Sequence, residues 1–74
     1  MSHRTVANRV KELRTGLDLT QADLADQVGI ARVSILAIEK GRFIPTIETA
    51  LRISQALGAA VEDIFWLKDE SNED

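Results

Sequence analysis

The sequence predicts an all-α domain of five short helices, and three observations carry that expectation. Apolar residues recur at the three-to-four-residue spacing of a helix in five separate runs, while the alternation of a strand is nearly absent. Residue types that start and stop helices bracket the runs, with Gly16, Gly29, Gly41 and Gly58 at their ends. A chain of 74 residues forms one small domain at most. Such a domain buries only about 60% of the surface its unfolded form exposes.

The first run places Val6, Val10 and Leu13 at i, i+4 and i+7, with Arg9, Lys11, Glu12 and Arg14 on other faces. It predicts an amphipathic helix over 6–15, ended by Gly16. In the second run Thr20 is followed three residues on by Asp23, a capping box with Asp in the usual Glu or Gln place. Thr20 then caps a helix reaching Val28, with Leu24, Ala25 and Val28 inward and Gly29 as its stop. Only Ile30 and Ala31 separate Gly29 from a third run over 32–40, in which Ile35 and Ile38 point inward. Two helices joined by so short a Gly-containing turn carry the signature of a helix-turn-helix. Ala31 supplies no side-chain cap, which costs the third helix about 1 kcal/mol. After Arg42-Phe43-Ile44-Pro45, Thr46 caps a fourth helix through Leu57, with Ile47, Ala50, Leu51, Ser54 and Leu57 expected on one stripe. A fifth helix near 61–65 is poorly capped by Ala60, and Phe65-Trp66-Leu67 is the one place that suits a short strand.

Composition narrows the function. Cysteine is absent and His3 is the sole histidine, near an end expected to be mobile, so disulfides, thiolate zinc sites and His- or Cys-based nucleophilic catalysis lack their parts. No nucleophile–base pair and no phosphate-cradling Gly loop is present, so the expectation is a protein that is not an enzyme and takes no metal and no cofactor. No run approaches the roughly 18 apolar residues of a membrane span, and no apolar segment of a secretory signal occurs near the start. A cytoplasmic protein without membrane contact is expected. The net charge of −3 hides a polarity. Residues 1–44 carry seven bases and five acids, net +2, and residues 45–74 carry two bases and seven acids, net −5. The division expected is a domain over 1–67 and an acidic, disordered tail over 68–74.

The stretch Arg9-Val10-Lys11-Glu12-Leu13-Arg14, then Leu19-Thr20-Gln21-Ala22-Asp23-Leu24-Ala25, Val28-Gly29-Ile30, Ile35, Ile38-Glu39-Lys40-Gly41, Pro45-Thr46 and Leu57-Gly58, resembles the Cro/CI-type helix-turn-helix DNA-binding proteins, the XRE family, in order and spacing. The likeness runs from Arg9 to Leu67 and is strongest to the short stand-alone dimeric members. It implies a compact five-helix, lambda-repressor-like domain with the helix-turn-helix at the second and third helices.

The resemblance implies that Arg32, Val33, Ser34 and Ala37 touch bases or adjacent phosphates from the third helix, and that Gln21 meets a phosphate and in some members the start of that helix. Arg32 has the fork that fits guanine O6 and N7. Val33 suits a thymine methyl, Ser34 a phosphate or its own helix, and Ala37 either a thymine methyl or simply the helix. Lys40, Arg42 and Lys11 are cations placed to fix register on phosphates. For Arg14 and Glu39 the resemblance implies a structural ion pair, with a phosphate contact by Arg14 second.

One such domain spans too few base pairs to select a site in a genome, so a homodimer on a palindromic sequence in double-stranded DNA is expected. Apolar residues left over at the C-terminus point to Ile64, Phe65, Trp66 and Leu67 as the dimer contact, with a short strand pairing across the twofold axis. The alternative is that Trp66 folds back over the fourth or first helix. The expected function is a sequence-specific transcriptional regulator, in the main a repressor. The alternatives are an antitoxin-type autoregulator with a protein partner at its C-terminal segment, or an interaction module that keeps the fold without binding DNA.

Overall fold

The computed structural model describes residues 4–69. Residues 1–3, His3 among them, and residues 70–74 of the expected acidic tail lie outside the described residues. In chain order the elements are β1 (Arg4–Asn8), α1 (Val10–Gly16), α2 (Gln21–Val28), α3 (Arg32–Glu39), α4 (Ile47–Leu57), α5 (Val61–Ile64) and β2 (Phe65–Asp69). The five expected helices are present, and a two-stranded antiparallel sheet adds to them. No helix among the described residues is long and apolar enough to cross a membrane.

Local chemistry sets both ends of α2 and the start of α4 where they were expected. Thr20 accepts from the Asp23 N–H while the Asp23 carboxylate accepts from the Thr20 N–H, each at 2.9 Å. Gly29 closes α2 with φ +87°, a conformation open to glycine and costly to most other residues. Thr46 caps α4 through the Thr49 N–H at 3.1 Å, and neither Ala31 nor Ala60 contributes a side-chain cap.

Two expectations need correction. The first helix begins at Val10, because the residues before it form β1 against β2, with Val6 opposite Leu67 and Asn8 opposite Phe65. Asn8 marks the change of structure. Its Oδ1 accepts from the Val10 N–H at 3.0 Å, its Nδ2 donates to the Ile38 carbonyl at 3.0 Å, and the following Arg9 N–H donates to the Ile64 carbonyl. The strand expected near Phe65 therefore pairs with the start of its own chain, and it runs on through Lys68 and Asp69. The second correction concerns α4. Ile53 and Leu57 face the core, while Ile47 and Leu51 of the expected stripe stand exposed. The helix lies against α2 and α5, so the face that turns inward is the one set one residue away from that expected.

The core gathers Val10, Leu24, Ala25, Val28, Ile35, Ile38, Ile53, Leu57 and Ile64 between the helices, with Leu13, Leu19, Ile30 and Phe65 packed on its edge. Each buried Leu, Ile or Val contributes roughly 1.5–3 kcal/mol relative to exposure. That core holds α2 and α3 at a fixed angle.

Candidate nucleic-acid interface

The site grows from the end of α1 and the two helices after it. Arg14 is almost wholly buried, and each of its three nitrogens donates inward. Nε meets Glu39 Oε2 at 2.7 Å, Nη2 meets Oε1 at 3.3 Å, and Nη1 meets the Leu19 carbonyl at 2.9 Å. The expected ion pair is present. The enclosed side chain is only 9% exposed, so little of its surface remains for the phosphate contact expected second.

Glu39 carries the chain of contacts onward. Its Oε1 also accepts from Gln21 Nε2 at 3.1 Å, and Gln21 Oε1 accepts from Arg32 Nη1 at 3.2 Å. A continuous line of hydrogen bonds thus runs from α1 through the last turn of α3 and the first residue of α2 to the first residue of α3. Gln21 cannot rotate its amide without giving up one end of that line. Arg32, although exposed, is tethered before any ligand arrives.

Beside Arg32, Val33 is 63% exposed. It does not belong to the core or to the side chains packed on it. Ser34 and Ala37 are half-buried, and Lys11, Lys40 and Arg42 are exposed cations around the same helices. The free N–H groups at the start of α2 give that end a partial positive charge, which favours an anion. Together these groups can do two things: anchor a polyanion through α2 and the flanking cations, and present Arg32 and Val33 to whatever lies beneath α3. Among the described residues no three His, Asp or Glu side chains converge where a metal ion could be held.

The residues expected at a dimer contact are separated by the fold. Ile64 is fully buried in its own core and so is not available as expected, Phe65 is partly buried on that core's edge, and Trp66 and Leu67 are exposed. The Arg9 guanidinium lies 5.0 Å from the Trp66 ring centroid, a cation–π contact that holds Trp66 beside the start of α1. Asn8 is the residue that the sequence pattern did not single out. Its tie to Ile38 fixes the far end of α3, and an Asn just before a helix start was the available signal.

A helix-turn-helix family model matches residues 10–64. An uncharacterized HTH-type transcriptional regulator of Bacillus subtilis (strain 168), YgzD, is 42% identical over 64 residues, covering 86% of this chain and 97% of that protein. The transcriptional repressor RstR of the cryptic phage CTXphi, from Vibrio cholerae serotype O1, is 31% identical over 70 residues, 92% of this chain and 62% of that protein. Among solved structures, the restriction-modification controller protein C.AhdI from Aeromonas hydrophila is similar with a TM-score of 0.69 at 28% identity, over 73% of this chain and 82% of that chain. With its two-helix motif, its Arg14–Glu39 brace and this match over most of its length, the chain belongs to the Cro/CI-type, or XRE, helix-turn-helix family of DNA-binding transcriptional regulators.

Proposed function

We propose that the protein is a repressor that binds a palindromic operator as a homodimer, with α3 in the major groove of each half-site. The observation that carries this reading is the tether of Arg32 by Gln21 at the N-terminal end of α3, the end that meets base edges when such a helix enters the groove. Arg32 reads guanine through its fork, and Val33 covers a thymine methyl. Ser34 and Ala37 extend the base contact along α3. Gln21, Lys40, Arg42 and Lys11 hold phosphates and set the register. Repression is supported by the relatives named as repressors, RstR and the immunity repressor of Bacillus phage phi105. The dimer is supported by the small size of the reading surface, because two half-sites about 34–36 Å apart supply the discrimination that one lacks.

Selection of bound sequences from a random duplex pool, repeated at two salt concentrations, tests the proposal. The expected result is a short palindrome with half-sites one helical turn apart, bound more weakly at the higher salt. Recovery of no sequence, with no binding at low salt, would sink it and favour an interaction module that takes a protein partner instead.

A further inference from the structure

Arg32 and Glu39 are the first and last residues of α3, two turns apart on one face and about 10 Å apart along its axis. Arg32 is exposed at the reading end, whereas the Glu39 side chain is 4% exposed and belongs to the brace. Gln21, from another helix, spans the interval between them. Its Nε2 donates to Glu39 Oε1 at 3.1 Å, and its Oε1 accepts from Arg32 Nη1 at 3.2 Å.

The two ends of this bridge are not interchangeable. An ionised carboxylate only accepts hydrogen bonds, and a guanidinium only donates them. Glu39 Oε1 takes one donor from Arg14 Nη2 at 3.3 Å and has a lone pair left, so the end of the Gln21 amide that meets it has to be the NH2 group. The amide oxygen is thereby turned to Arg32. Turning the amide over would set its oxygen against the carboxylate and its NH2 group against the guanidinium, and both bonds would be lost together. Poor polar pairing costs more in an enclosed site than in water, and Glu39 supplies that enclosure. A Glu at position 21 could serve only the Arg32 end, and a Lys only the Glu39 end.

We infer that Glu39 is a positioning residue for base recognition: without touching DNA, its carboxylate sets the direction of the Gln21 amide and through it holds the Arg32 guanidinium ready for the groove. This role rests on the reading of Arg32 as a base contact, and it places a determinant of specificity at the opposite end of α3. A long exposed side chain gives up rotamer freedom when it docks, and a tether formed in advance removes part of that cost. The gain falls on one base pair per half-site, the one beneath Arg32. Val33 has no part in the line of hydrogen bonds, so its contact does not depend on Glu39.

The test follows the Arg32 Nε–H by 15N relaxation in the free protein, and measures affinity for the selected operator and its single-base variants well below the melting temperature. In wild type the Nε–H is expected to be ordered on the ps–ns timescale. In R14M/E39L apolar side chains replace the brace and Gln21 Nε2 loses its acceptor. Arg32 should then become mobile and the preference at its base pair fall about two- to tenfold, with the preference beneath Val33 kept. Glu39→Gln exchanges one oxygen for an NH2 group that can draw the Gln21 oxygen toward itself; the same losses are expected, and this variant decides the matter if R14M/E39L fails to fold. Thr46→Ala, which removes the α4 cap and leaves the line alone, should lower stability and change neither quantity. A folded R14M/E39L or Glu39→Gln with an ordered Arg32 and full preference would overturn the role of Glu39, as would equal losses in Thr46→Ala. A wild type with no preference at that base pair would instead remove Arg32 as a base contact, and with it the role of Glu39 in recognition, even where the relaxation data show the tether.

Discussion

Arg14 and Glu39 join the end of α1 to the end of α3 through two contacts, Nε to Oε2 at 2.7 Å and Nη2 to Oε1 at 3.3 Å, with side-chain exposures of 9% and 4%. A pair this enclosed is weak evidence of net stabilisation, because both charges gave up water to form it. Removing one partner is another matter, since the survivor remains buried and unpaired. Glu39→Ala is expected to destabilise the domain by about 3–5 kcal/mol in urea unfolding, and R14M/E39L to recover most of that loss. Equal destabilisation by the single and the double replacement would show that packing, not charge, accounts for the effect.

Arg32 and Lys40 should fail in different ways. Arg32→Ala is expected to relax preference at one base pair per half-site, with a loss of about 1–3 kcal/mol against the preferred base. Lys40→Ala should weaken all sequences alike and reduce the slope of log affinity against log salt by about 1. Titrations of the selected operator and its single-base variants separate the two; a uniform loss for Arg32→Ala would make that residue a phosphate contact.

Gly29 is held at φ +87°, and a Cβ there would stand 3.4 Å from Arg52 Nη1. The space is tolerable, so the expected penalty of Gly29→Ala comes from the left-handed backbone and amounts to about 1–2 kcal/mol. Thermal unfolding should show a lowered midpoint. An unchanged midpoint would mean that the turn between α2 and α3 relaxes to another conformation.

The Asp23 carboxyl is held below its ordinary value of 3.8 by the Thr20 backbone N–H first and the Thr20 hydroxyl second. A carboxyl with a depressed folded value stabilises above its unfolded value and loses that contribution as pH falls through the folded one. Wild type should therefore be more stable than Asp23→Ala near neutrality, with the difference shrinking below pH 3.8. Melting temperatures of the two proteins across an acid series check this, and a difference independent of pH would exclude the carboxylate as its source.

The parts of the fold that were legible in the sequence are those fixed by neighbours in the chain. Thr20 with Asp23, Gly29, and Thr46 each act within four residues, so their types alone place the ends of α2 and the start of α4. The sheet was hidden because its strands meet only in the folded chain. Val6 happens to continue the helical spacing of Val10 and Leu13, yet its partner is Leu67. On α4 two apolar stripes run side by side, and periodicity alone does not say which one α2 and α5 will cover. At the candidate interface, family likeness pointed to the Arg14–Glu39 pair and to a contact of Gln21 with the start of α3, whereas the Gln21–Glu39 bond that joins them into one line depends on distances between helices.

The β1–β2 pairing also governs when folding can finish. The register matches Arg4 with Asp69 and Asn8 with Phe65, so β1 waits for a partner strand that lies beyond all five helices in the chain. Pairings between such distant segments form slowly, after local ones. Asn8, the last residue of β1, also holds the Ile38 carbonyl, and the Arg9 N–H after it holds the Ile64 carbonyl, so closing the sheet secures the rear anchor of α3. A nascent chain halted before Phe65 can hold helices, but it has no finished platform from which to read a groove.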